Sequence, residues 1–334
     1  MLKFFAAAAA LLVSSLALAH HSPSAYDTTR EVTIEGTLAK VEWANPHIYL
    51  TLETQGPNGL HVLQQVESVS ISAAQAGGLT RDLLPLGSTV VVHARPNRRG
   101  SGYTVLGSDI TMSDGTIYAL AGGGRISRPP VATVPAKSIA GNWTPEPNPR
   151  LAPTVMGWPL TDKGREALAA VLSGKVTLTA GCEALPLPML MQVPPMRAIE
   201  VGEDRVVIKI DADGVDATRT VHLDLAAHPA NVEPSLFGHS IGRWEGGTLV
   251  IDTAAFAPNQ IGVGFGIPSG TGKHLVERLT LAADGLRLRY ELTVEDPEYL
   301  AAPATYTTMW DHRPDLAFSG SACDPQISER YREE

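Results

Sequence analysis

The sequence predicts a mainly β protein, with an N-terminal, OB-like five-stranded barrel and then a C-terminal antiparallel β-barrel or curved sheet carrying one helix. Three observations predict it. Apolar and polar residues alternate in many short segments, the period of a half-buried strand. The first such segments run three strands, a helix, then two strands, the order of the oligonucleotide/oligosaccharide-binding barrel. After one amphipathic helix at least six more β segments follow, some joined by hairpin-type turns such as Asp213-Gly214, Gly246-Gly247 and Asp284-Gly285.

Residues 1–19 read as a signal peptide. Lys3 is the only charge before an apolar run, and Ala17-Leu18-Ala19 fits the small-x-small cleavage rule. The run is short beside the roughly 20 residues of a spanning helix. No later stretch is long and apolar enough to span, so the expectation is a periplasmic or secreted chain with no membrane span. No Cys follows the run, which argues against a lipid anchor.

Residues 20–121 form the expected first barrel, with strands at 32–41, 47–53, 61–66, 89–94 and 103–111, and a short final strand near 117–120. Gly56-Pro57-Asn58-Gly59 is turn chemistry, and the helix at 70–76 stops at Gly77-Gly78. Residues 122–158, rich in Pro, Gly, Ser and Ala, read as a linker. The second domain, 159–334, opens with a helix at 160–172, capped by Thr161 and Asp162 and stopped at Gly174. Its strands are expected at 205–211, 218–224, 248–254, 274–281, 286–294 and 305–310.

Loss of Lys3 with the leader leaves 25 basic against 35 acidic residues, a net charge of -10. A chain so acidic is a poor partner for phosphate backbones, and nucleic acid is not expected. The one basic run, Arg95 to Arg99, reads as a solvated hairpin tip. In an oxidising compartment Cys182 and Cys323 are candidates for a disulfide, the alternative being two separate buried thiols.

Two stretches carry a resemblance. His20-His21-Ser22 with Val41-Glu42-Trp43-Ala44-Asn45-Pro46-His47 resembles a family of uncharacterised exported bacterial domains. The run from Gly238 to Thr253, containing His239-Ser240-Ile241-Gly242-Arg243-Trp244-Glu245-Gly246, resembles a second uncharacterised exported family, with Gly247 where that family usually has Asp. His274-Leu275-Val276-Glu277-Arg278 and Cys323 also fit the second pattern. The resemblance implies location and architecture and carries no known chemistry.

Cleavage after Ala19 would place His20 first. Its amine and imidazole chelate one ion together, and a second imidazole completes a nitrogen-rich planar set suited to Cu(II). The candidate metal ligands are His20, His21 and His47, with copper the candidate cofactor. Cleavage after Ala17 instead puts His20 third, which also grips Cu(II). The alternative is a solvated tail. His61 and His93 are read as structural or surface histidines. No zinc cage, nucleophile elbow or phosphate loop is visible, and Gly262 to Gly266 reads as a flexible loop.

The densest polar cluster is His239, Arg243, Trp244 and Glu245. As candidate catalytic residues, His239 would serve as acid or base, and Arg243 would hold a carboxylate. Glu245 completes the group. An enzyme or carrier acting on a small apolar or carboxylate-bearing molecule is the alternative to copper binding. In a purely structural reading, Arg243 and Glu245 pair across a hairpin and Trp244 plugs a barrel end. A third class is a protein-binding adaptor using Met189, Leu190, Met191, Val193 and Met196, residues that more often pack in a core.

Overall fold

The structure, a computed structural model, describes residues 26–327 except 57–58, 101, 103, 122–123, 128–131, 146–156, 174, 177–181, 193–195 and 265. The elements and pairings below are those among the described residues. His20, His21, Gly174 and Val193 lie outside them.

The first barrel is built from β1 (Val32–Glu42), β2 (Tyr49–Gln55), β3 (His61–Glu67), α1 (Ile71–Ala76), β4 (Thr89–Arg95), β5 (Val105–Thr111) and β6 (Ile117–Ala119). The sheet order is β3-β2-β1-β4-β5-β6, and a β3–β5 pairing closes the first five strands into a barrel. This is the expected OB-like arrangement. Alternation explains it: Leu50 and Leu52 on β2 and Val90, Val92 and Ala94 on β4 turn one side of each strand into the apolar core. The barrel bends at a bulge between Leu38 and Lys40.

The second barrel uses β7 (Gly141–Pro145), β8 (Arg197–Val201), β9 (Arg205–Ala212), β10 (Val215–His222), β11 (His239–Glu245), β12 (Thr248–Ala254), β15 (His274–Leu281), β16 (Arg287–Glu295) and β17 (Ala304–His312). They close in the order β10-β11-β12-β15-β16-β17-β7-β8-β9. The expected barrel or curved sheet is thus a closed barrel. The chain reaches its first strand inside the stretch read as a linker: Gly141–Pro145 pairs with both β17 and β8. Five residues flanked by proline-rich sequence carry too little alternation to stand out.

The helix α2 (Asp162–Leu172) starts where expected, with Thr161 Oγ1 accepting from Gly164 N at 3.1 Å. A second short helix, α3 (Met189–Gln192), was not expected and buries Leu190 and Met191. Met196 is also buried, so this Met-containing stretch packs inward. The Gly-rich segment read as a loop is a small hairpin, β13 (Asn259–Gly264) with β14 (Ile267–Ser269). Ser269 sits against Gly262 so closely that an added Cβ would meet its Oγ at 1.9 Å.

Both barrels hold an odd number of strands. Each antiparallel neighbour reverses strand direction, so an odd ring closes only if some neighbouring pair is parallel. In the first barrel that pair is β3–β5, through Val66↔Val105 and Glu67↔Leu106. In the second it is β10–β11, through Val221↔Ser240 and His222↔Ile241. Parallel neighbours need a crossover. Residues 223–238 supply it in the second barrel.

Asn45 of the Trp-Ala-Asn-Pro-His stretch joins the two barrels. Its Oδ1 accepts from Ile71 N at 3.0 Å, at the start of α1, and its Nδ2 donates to Ser321 O at 2.7 Å. Cys323 is bonded to Cys182 and donates its backbone N–H to Gly214 O at 3.0 Å. The expected disulfide is therefore present. Gly214 has φ +83°, and a Cβ there would lie 2.6 Å from Cys323 N and 2.7 Å from Asn45 Cβ. Only glycine suits that hairpin tip.

Candidate functional site

At the first seam, β3 ends in Glu67, whose carboxylate is almost fully buried. The chain entering β1 crosses here. Tyr26 OH donates to Glu67 Oε2 at 2.5 Å, and Tyr26 forms a bridge with Asn97. His47 stands just before β2, where Tyr49 pairs with Glu67. Its Nδ1 lies 2.8 Å from Ser68 O and 3.4 Å from Glu67 Oε1. Commitment of Nδ1 to the backbone carbonyl means that a metal bond from His47 would use Nε2, the arrangement that orients metal-binding imidazoles. His61 and His93 are elsewhere: His61 pairs with Glu53 at 2.7 Å, and His93 with Asp109 at 2.9 Å.

At the second seam, β10 and β11 share only two residue pairs before diverging. A cleft of about 230 Å³ opens between them, bordered by His222, Phe237, His239, Arg219 and Ser240. Alternation directs Arg219 and Ser240 into the barrel and His222 and His239 outward. Outside, the rings of His222 and His239 stack with centroids 5.2 Å apart. His239 Nδ1 meets Nδ1 of His228, on the crossover, at 2.8 Å. His228 Nε2 and His274 Nε2 both lie 2.9 Å from Asp252 Oδ1.

Burial, followed by the neighbouring His228 and His222, lowers the His239 pKa below the ordinary imidazole value. His239 is therefore held as a neutral base. Burial alone would raise the Asp252 carboxyl, but hydrogen bonds from His228 and His274 outweigh it and hold the group below its usual range. The chain Asp252–His228–His239 can carry a proton from the cleft to a carboxylate.

Inside the barrel, behind Ser240, Arg219 donates to both Glu277 oxygens, to Ser240 Oγ at 3.0 Å and to Thr253 Oγ1 at 2.7 Å. Tyr290 OH donates to Glu277 Oε1 at 2.9 Å. The Arg219–Glu277 group is thus satisfied by its own members.

The structure does not bring Arg243 and Glu245 to His239. Both sit at the far end of β11, exposed, where Arg243 Nη2 and Arg278 Nη1 bond Glu245 at 2.7 and 2.9 Å. His239, Arg243 and Glu245 share one face of β11, but each residue advances about 3.3 Å, so Arg243 and Glu245 lie roughly 13 and 20 Å along the strand. Trp244 is also exposed and does not plug the barrel. The partners that His239 has instead are His222 and His228, and His228 connects it to Asp252 and His274. Of these His228 left no periodic signal, being on a crossover. His222 was visible only as an outward position of a strand, whereas Asp252, at the end of the strand after the cluster, and His274, which with Glu277 starts another, are legible as polar companions of His239. Among the described residues no three His, Cys, Asp or Glu side chains form a ready-made metal cage, and no helix is long and apolar enough to cross a membrane.

The family of unknown function DUF6152 matches residues 9–105, most of the first barrel and the sequence just before it. No curated protein matches the chain. Among solved structures, an asparagine-to-alanine point mutant of the fluorescent protein UnaG is 13% identical, with a TM-score of 0.26, over 52% of this chain and 95% of that one. Wild-type UnaG is 14% identical, with a TM-score of 0.24, over 52% and 96%.

Proposed function

We propose that this is an exported binding protein that takes up Cu(II) through a processed N-terminal His20 together with His47 of the first barrel. The observation that carries this reading is Tyr26, anchored on the same Glu67 carboxylate that His47 approaches. His20 lies six residues before Tyr26. Six extended residues reach roughly 20 Å, enough to bring His20 to the seam. The amine and imidazole of His20 with Nε2 of His47 make a three-nitrogen set that favours Cu(II), and His21 is the neighbouring alternative donor. The test has two parts. The intact mass of protein recovered from the periplasm should correspond to a chain starting at His20. That chain should bind Cu(II) far more tightly than one carrying an N-terminal Gly-Ser-Gly-Ser extension, which leaves no His in the first three positions. Equal affinity in the two forms would rule the site out.

A second reading concerns the cleft at the other seam, as a carrier or proton-transfer site for a small apolar or carboxylate-bearing molecule. It is favoured by His239, a neutral base that borders the cleft and leads through His228 to Asp252. Thermal melts with a panel of small aromatic carboxylates would test it. Stabilisation that His239→Ala removes supports the reading, and no stabilisation by any member counts against it.

A further inference from the structure

We infer that His228, Asp252 and His274 form a second site for a divalent transition metal, on the outer face of the nine-stranded barrel and independent of the N-terminal histidine. Two imidazoles and one carboxylate are a donor set used by zinc and non-haem iron centres. Both Nε2 atoms already point at one oxygen, Asp252 Oδ1, each from 2.9 Å. With Asp252 ionised, each Nε2 carries a hydrogen toward it.

Moving those hydrogens to Nδ1, by tautomer exchange, turns both Nε2 lone pairs toward the carboxylate. Metal bonds of about 2.0–2.1 Å in tetrahedral geometry separate donors by about 3.3 Å. Opening each His–Asp contact by roughly 0.4 Å brings those two donor pairs to that separation.

The outer partner of His228 fits its exchanged tautomer. A ligating histidine donates its other N–H to an acceptor that fixes its ring. His228 Nδ1 faces His239 Nδ1 at 2.8 Å, and His274 Nδ1 faces Glu295 Oε2 at 3.9 Å. His228 therefore has an acceptor within hydrogen-bonding range on its far side, whereas Glu295 lies beyond that range of His274. The three donor side chains are 22%, 32% and 34% exposed, leaving room for water or a substrate oxygen on the ion. His228 rides on the crossover while Asp252 and His274 sit on neighbouring strands, so an ion here would pin the crossover to the barrel.

The test is a Zn(II) titration against a chromophoric chelator, using the full chain with His47→Ala to remove the proposed copper ligand. One Zn(II) per chain is expected. His274→Ala or Asp252→Asn, each the loss of a ligand, should weaken it by at least about a hundredfold. Circular dichroism checks folding. If Asp252→Asn does not fold, the more exposed His274→Ala decides. The inference is overturned if the His47→Ala chain binds no Zn(II), or if binding is indifferent to His274→Ala. Loss of Cu(II) binding in the His47→Ala chain with Zn(II) binding intact would separate this site from the N-terminal one.

Discussion

The two barrels solve the same closure problem and leave different results. Five strands and nine strands both require a parallel seam, and each seam is only two residue pairs long. At the first, the chain's own N-terminal arm lies over the junction, with Tyr26 on Glu67 and His47 beside them. At the second, the strands splay into a cleft bordered by histidines. The cores differ too. The first is an apolar cluster around Leu38, Leu50, Leu52 and Val92, whereas the second encloses Arg219, Glu277 and Tyr290 in one hydrogen-bonded group. Polar chemistry thus gathers where ring parity forces the sheet to be irregular.

That contrast can be broken in graded steps. The largest effect is expected from Cys182→Ser with Cys323→Ser. The bond joins residues 141 apart, and closing a loop of that length is worth about 5 kcal/mol in the chain-entropy model. Thermal melts with and without reductant should show a large loss in the second barrel, whose Cys323 packs on Gly214. Next, Glu277→Ala leaves the buried Arg219 guanidinium without its carboxylate, a loss of about 3–5 kcal/mol. Leu52→Ala in the first barrel removes only apolar contact, about 2–5 kcal/mol. Four of the five tryptophans lie in the second barrel and Trp43 alone in the first. Urea unfolding followed by fluorescence in a Trp43→Phe chain therefore reports on the second barrel, and should register Glu277→Ala strongly.

Smaller effects follow from charge. Burial, opposed in part by Asp296, pushes the Lys273 ammonium down to about 7 from 10.5. Between those values the unfolded chain binds a proton that the folded chain releases, so stability should rise with pH there, by at most about 1.4 kcal/mol per pH unit. Lys273→Met should flatten that slope in urea titrations at pH 7 to 10. The smallest effect is at the histidine cluster. The lowered His239 pKa makes its contribution complete above about 6.5 and lost as pH falls below it. His239→Gln should reduce the acid sensitivity of the urea midpoint.

Much of this architecture was legible in the sequence because period-two alternation is local. The strands at 32–42, 248–254 and 274–281 needed no distant information. The short strand at 141–145 did, because its partners come from 197–201 and 304–312. The histidine cluster was half legible. His239 stood out, but linear density drew Arg243 and Glu245 in with it, although the strand carries them away. His228, Asp252 and His274 join His239 only through sheet register and a crossover, neither of which composition reveals. Asn45 stands in the turn just before His47. Its links to Ile71 and Ser321 show that the same turn also fastens the barrels together.

The most direct check on the copper reading is electron paramagnetic resonance of the processed chain loaded with one equivalent of Cu(II), beside its His47→Ala variant. Three equatorial nitrogens in the first and two in the second are expected. Superimposable spectra from the two proteins would contradict it.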